Sequence, residues 1–158
     1  MRMTLRIKSI FILLLTLLAV NSFASMEEIR TLFSKSNVDE NAAERLIELT
    51  KNASLKTNPV LFAYHAGATM SLANHYSWPG TKLSYFNEGK EKLEKAVNFA
   101  LTNVEIRFIR YAVQFGAPSM LGYSQNLAED KAYILKHINE TDWSASYKQE
   151  VRDYLNKN

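Results

Sequence analysis

Residues 83–110, with the sequence LSYFNEGKEKLEKAVNFALTNVEIRFIR, decide the fold of this chain. Their first part places apolar side chains at helical intervals, at Leu83, Phe86, Leu93, Val97 and Ala100. Thr102 follows these positions and stands three residues before Glu105, which is the capping-box pattern that starts a helix. The stretch therefore predicts a helix over 83–101, a short polar turn and a second helix that continues to Phe115.

Three predicted helices precede this hairpin. The first is short and surrounds Ile29, and the second is capped by Asn37 or Asp39. Asn58 and Pro59 open the third, since asparagine is a good N-cap and proline suits the first helical position. This third helix continues over 61–75 and is rich in small residues, so we expect it to be the central, tightly packed one. A Pro-Gly turn within 76–80 is expected to end it.

Two further helices are predicted after the hairpin. An apolar loop over 118–124 is expected to fold back on the core. A sixth helix follows Asn126 and continues to about Ile138, and a seventh is capped by Thr141 or Asp142. The chain has no strong strand pattern, no linker and no low-complexity tract, so we expect one all-α domain over 25–158.

Two resemblances extend this interpretation. The stretch Lys90–Val97 followed by Thr102–Glu105 resembles tetratricopeptide-like proteins, which implies about seven helices stacked as antiparallel hairpins in an α-solenoid or a compact helical array. Residues 83–90, 105–110 and 118–123 resemble a group of exported helical proteins from Bacteroidota, over roughly 62–138 of the chain. This second likeness implies a Gram-negative periplasm and a helical fold, and it implies no activity.

The first 24 residues have the three-part pattern of a cleavable signal peptide. Arg2, Arg6 and Lys8 precede an apolar run over 10–20, and small residues precede a cleavage point after Ala24. The alternative is a retained membrane anchor, but the apolar run is about half of the ~20 residues that span a bilayer. We therefore expect a periplasmic protein without a stable membrane anchor after cleavage.

Charge and cysteine content exclude several functions. Removing the three basic residues of the signal from the 19 in the chain leaves 16 bases and 16 acids, so the mature domain is neutral and a nucleic-acid partner is not expected. The chain has no cysteine, which excludes disulfides, a lipoprotein anchor, a cysteine nucleophile and thiolate metal sites.

Three charged residues of the fifth helix are candidates for a functional role. Arg107 and Arg110 lie one turn apart and could bind a carboxylate, phosphate or sulfate. The alternative is a solvated stripe, or salt bridges to acids of a neighbouring helix. Glu105 points towards the apolar side of the helix; it is either a functional acid in an apolar pocket or, as the spacing favours, the third-position acid of the capping box.

Aromatic residues of two loops form the other candidate site. Tyr76, Trp78, Tyr85 and Tyr123 could line a groove for sugar, peptide or lipid, although such rings more often complete a core. The three histidines, His65, His75 and His137, have no ligand-like spacing, so we predict neither a metal site nor a cofactor.

These patterns favour a periplasmic binding or scaffold module without catalytic activity. Its expected partner is an envelope protein or a peptide. The alternative is an envelope enzyme or a small-ligand carrier whose pocket uses the arginine and aromatic candidates. A deep pocket with a buried polar cluster would favour the alternative, and a shallow apolar groove or an exposed apolar patch would favour the module.

Overall fold

The computed structural model describes residues 24–157, and within that range it contains helices and no strand. All of the predicted signal peptide except Ala24 lies outside the described residues. The seven α-helices are α1 (Met26–Lys35), α2 (Glu40–Thr50), α3 (Pro59–Leu72), α4 (Pro79–Phe99), α5 (Val104–Gly116), α6 (Leu127–His137) and α7 (Ala145–Lys157). Single-turn 3-10 helices occupy Ser119–Leu121 and Ile138–Glu140. The all-α prediction is confirmed.

Polar side chains cap the N-termini of several of these helices. Asp39 caps α2 and Asn58 caps α3, each by accepting a hydrogen bond from a backbone N–H three residues ahead. Helix α5 is capped by Asn103, whose Oδ1 accepts from the Ile106 N–H at 3.0 Å. The predicted capping box of Thr102 and Glu105 is therefore wrong by one residue, because the asparagine amide supplies the cap.

The predicted Pro-Gly turn is also wrong. Helix α4 begins at Pro79 itself, with Trp78 at the N-cap, four residues before the predicted start at Leu83. Proline fits the first helical position because it has no N–H to leave unsatisfied and its φ angle is already helical. The loop between α3 and α4 is correspondingly short and covers 73–78.

Helix α3 is the tightly packed centre, as predicted. Its residues from Ala63 to Leu72 are all buried except His65. Helix α4 approaches it so closely at Gly89 that an added Cβ would lie 2.6 Å from the carbonyl oxygen of Ala66. Glycine is required there because the two backbones leave no room for a side chain.

Helices α1, α3 and α5 run in the same direction. Residues near the N-terminal end of one helix contact residues near the N-terminal end of another, and the same holds for the C-terminal ends. These pairs are Arg30–Glu105, Tyr64–Glu105, Asn37–Asn74 and Asn37–Gly116. Helix α7 joins the set, since Trp143 before it contacts Glu105 and Tyr154 packs on Phe115. Four parallel helices therefore share one side of the molecule.

Two apolar clusters hold the helices together, and α5 contributes to both. Ile106 and Ile109 of α5 pack with Tyr64 and Leu93 in the main core. Its Phe108 and Tyr111 pack with a second cluster that covers α6 and α7 and includes Ile134, Val151 and Leu155. Helix α5 therefore joins the two halves of the domain.

Candidate functional site

An apolar groove lies on the side shared by the parallel helices. It has a volume of about 710 Å³, within the roughly 300–1,000 Å³ that small-molecule sites occupy. Helix α5 forms its floor, α1 and α7 form its walls, and α3 and α4 complete one end. The apolar lining includes Phe33, Phe86, Phe108, Ala112, Val113 and Val151.

One end of the groove is closed by Arg30 of α1. Its guanidinium carbon lies 4.6 Å from the ring centre of Tyr147 and 5.6 Å from that of Trp143. A guanidinium over an aromatic face is attracted to the ring, so this contact joins the first helix to the last segment of the chain. The opposite end, where α1, α3 and α5 end and α4 begins, is lined by the exposed side chains of Lys82, Leu83 and Met120, and we call it the open end or mouth.

Glu105 anchors this closed end from below. Its carboxylate accepts two hydrogen bonds from Arg30, at 2.8 and 2.9 Å, one from the Tyr64 hydroxyl at 2.7 Å and one from the Trp143 indole at 3.1 Å. The favoured capping-box role for Glu105 is therefore wrong, because these four donors belong to α1, α3 and the segment before α7. Its predicted direction, towards the apolar side of α5, is confirmed, since only 8% of the residue is exposed.

Burial and the Glu105 charge also shift the pKa values of its donors. Burial raises the pKa of the Tyr64 hydroxyl well above its usual value, and Tyr147 and Glu105 add to the shift. Burial acts against the charge of Arg30, but the hydrogen bonds and charge of Glu105 outweigh it and raise the pKa of that guanidinium. Arg30 is therefore permanently charged and Tyr64 permanently protonated near neutral pH.

Arg107 and Arg110 face α6, where they share Asp130. The Asp130 carboxylate is fully buried and accepts one hydrogen bond from Arg107 at 2.9 Å and two from Arg110 at 2.7 Å. Glu129 accepts a second hydrogen bond from the same Arg107 nitrogen at 2.9 Å, and Glu94 accepts one from Arg110 Nη1 at 3.3 Å. Of the predicted alternatives, salt bridges to a neighbouring helix are what the structure contains, and neither arginine forms a solvated stripe.

The aromatic candidates occupy two different environments. Tyr76 and Tyr85 stack with ring centres 4.9 Å apart, and Trp78 beside them is 73% exposed. Tyr123 is buried instead; it donates a hydrogen bond to Glu94 and packs edge-on against Phe86. None of these four, and neither arginine candidate, lines the groove.

Two exposed apolar side chains line the open end, and a third lies next to it in the chain. Leu83 and Met120 line the mouth and are 49% and 89% exposed, and Trp78 immediately precedes the lining residue Pro79. The loop containing Met120 was predicted to fold back on the core. Leu121 and Tyr123 do so, whereas Met120 projects outward because the 3-10 turn places its side chain on the solvent side.

Each histidine bonds locally. His65 contacts the Thr50 hydroxyl at 3.2 Å, His75 contacts the Ser36 carbonyl oxygen at 2.8 Å, and His137 contacts Glu140. Within residues 24–157, no group of three histidine or acidic side chains is placed to hold a metal ion.

Comparison with protein-family models, curated proteins and solved structures finds no match to this chain. Over the described part of the chain, no helix has the length and apolar character needed to cross a membrane. What the domain binds must therefore be inferred from its own geometry.

The sequence candidates missed the groove because its walls are far apart in the chain. Phe33 and Val151 face each other only after α5 has brought both ends of the chain together. The one local signal was the apolar character of 118–121, which ends the groove at its mouth.

Proposed function

We propose that this chain is an exported helical binding module that holds an apolar ligand in the groove between α1, α5 and α7. The observation that carries the proposal is the groove itself: about 710 Å³, mostly apolar in its lining, with Arg30 across one end and exposed side chains at the other. Concave, mostly apolar sites of this size are the usual form of a ligand-binding site.

The polar groups next to the groove support binding rather than catalysis. The Glu105 carboxylate accepts hydrogen bonds from Arg30, Tyr64 and Trp143. Throughout residues 24–157, every buried side-chain nitrogen and oxygen has a hydrogen-bond partner. A catalytic acid or base needs a free position towards its substrate, and these groups are already engaged.

Export is part of the proposal and rests on residues 1–24. Their basic, apolar and small-residue sections favour cleavage after Ala24, directly before α1. Periplasmic placement and the likeness to exported tetratricopeptide-like proteins are consistent with a ligand carrier or scaffold that works outside the cytoplasm.

A protein or peptide partner is the second candidate, and the exposed apolar rim favours it. Leu83 and Met120 line the mouth and are exposed, and the exposed Trp78 immediately precedes the lining residue Pro79. Aromatic and methionine side chains are enriched in protein interfaces. An envelope protein that inserts an apolar segment would cover the rim and fill the groove together.

Binding of the neutral dye Nile red to the mature domain tests the groove. We expect the dye to become more fluorescent when it binds the wild-type domain. Ala112→Trp should lower the affinity for the dye about tenfold, because the indole would fill the floor of the groove. Met120→Ala should also weaken binding, and we expect it to leave folding intact because Met120 is 89% exposed. The matched control is Leu135→Ala on α6, outside the groove, which should leave binding unchanged.

Two results would contradict the proposed function. One is the absence of Nile red binding to the folded wild-type domain. The other is unchanged affinity in both Ala112→Trp and Met120→Ala, since the dye would then bind elsewhere.

A further inference from the structure

We propose that the groove binds a single-chain amphiphile with one anionic headgroup, its acyl tail along α5 and its headgroup beside Lys82. This inference rests on the proposed function, since it names the ligand class of the same groove. The shared chemistry is an alkyl chain that ends in a carboxylate or a phosphate.

The shape of the groove argues for a chain-like tail. The floor follows α5 from Phe108 to Gly116, about 12 Å at the rise of an α-helix, and continues to Pro118. At the closed end, Arg30 stacks over Tyr147 and blocks further extension. An apolar channel that is closed at one end and open at the other accepts a linear tail end-first and leaves its polar end at the mouth.

The charges along the groove place the headgroup at the open end. Three charged side chains line it: Arg30, Lys82 and Glu150. Arg30 is neutralised by its two hydrogen bonds to Glu105. Lys82 and Glu150 are exposed, and neither belongs to any ion pair formed by residues 24–157.

Lys82 and Glu150, the two charges without an ion-pair partner, both favour an anionic headgroup at the mouth. Lys82 attracts an anion to the first turn of α4, at the mouth. Glu150 lies on the α7 wall one turn after Tyr147, nearer the closed end, where it repels an anionic group. The α4 N-terminus adds to the attraction, because Trp78 provides no side-chain cap for the first-turn N–H groups. An amphiphile whose tail lies in the groove and whose anionic group lies at the mouth is attracted by Lys82 and avoids Glu150.

Displacement of Nile red by three ligands of equal chain length tests this assignment. The ligands are laurate, dodecyl phosphate and dodecanol, each below the concentration at which it forms micelles. We expect laurate or dodecyl phosphate to displace the dye at lower concentration than dodecanol, and the better of the two identifies the headgroup. Lys82→Met should weaken anion binding about two- to fivefold, the range of an exposed ion pair, and leave dodecanol unchanged.

Lys136→Met on α6 is the matched control. It removes an exposed lysine outside the groove and should change none of the three affinities. The preference for anions should also fall at high salt, because an exposed charge pair is screened.

Three results would overturn the inference. Equal displacement by laurate, dodecyl phosphate and dodecanol would remove the headgroup assignment. The same follows if Lys82→Met leaves anion binding intact. If Nile red binds in the groove and none of the three displaces it, the acyl ligand is wrong while the proposed function stands. The proposed function is contradicted by different results: the dye does not bind the wild-type domain, or its affinity is unchanged in the groove variants.

Discussion

Replacing Glu105 with glutamine tests whether this carboxylate holds the closed end of the groove. The substitution keeps the shape and one acceptor oxygen, but it removes the charge and places an NH₂ group against donors. Arg30 then loses its buried counter-ion and one of its two hydrogen bonds, at 2.8 and 2.9 Å. Tyr64 and Trp143 compete for the single oxygen that remains.

The expected cost follows from the burial of this pair. Removing one partner of a buried ion pair costs about 3–5 kcal/mol. The Arg30 side chain is 17% exposed, so water can partly solvate its charge when Glu105 is replaced. We therefore expect a loss of stability at the lower end of this range, about 3 kcal/mol. For a domain of this size, that corresponds to a melting temperature about 10 °C lower.

Urea unfolding followed by far-ultraviolet circular dichroism measures this change. The matched control is Glu91→Gln, which removes the same charge from an exposed pair with Lys95 and should leave stability unchanged. An equal dependence on urea for both variants would show that only stability has changed. A loss below about 1 kcal/mol for Glu105→Gln would refute the buried-anchor account, because that is the range of surface pairs.

Three further predictions concern the other packed features. Asp130→Ala leaves two buried arginines without their shared carboxylate and should cost about 3–5 kcal/mol or prevent folding, as measured by urea unfolding. Gly89→Ala should destabilise by about 1–3 kcal/mol despite the higher helix propensity of alanine, because its Cβ meets the Ala66 carbonyl; a more stable variant would contradict this close approach. Burial, with a smaller contribution from Lys92, lowers the pKa of His65 below its usual value near 6.5. The unfolded chain therefore binds the proton first, so stability should fall as pH drops from 7 to 5, and His65→Gln should flatten that slope in a series of thermal melts.

Local features of the sequence predicted the helices well. Asn58 before Pro59 placed the start of α3, and the small residues of α3 predicted its tight packing. The errors at Thr102 and Pro79 share a cause. Around each of these residues the sequence is compatible with two starting points for the helix. Packing against neighbouring helices decides at which one the helix begins.

The candidate site was harder to predict because its contacts join distant parts of the chain. The spacing of Arg107 and Arg110 indicated that they could bind one anion or form salt bridges to a neighbouring helix, but nothing in α5 identifies Asp130 as their shared partner. Glu105 and Arg30 are separated by 75 positions, so no local pattern relates them. The groove depends on the same long-range arrangement, so no local pattern in the sequence predicts it.

The Arg30–Glu105 pair also bears on the order in which the domain is completed. Helix α1 leaves the ribosome before α5, so its arginine lacks this counter-ion until Glu105 has followed, 75 residues later. Its aromatic cover, from Trp143 and Tyr147, comes later still. Closing such a long loop costs entropy before any contact repays it. Helix α1 is thus made before the contacts that secure it, and a chain interrupted before Trp143 keeps this helix only partly anchored.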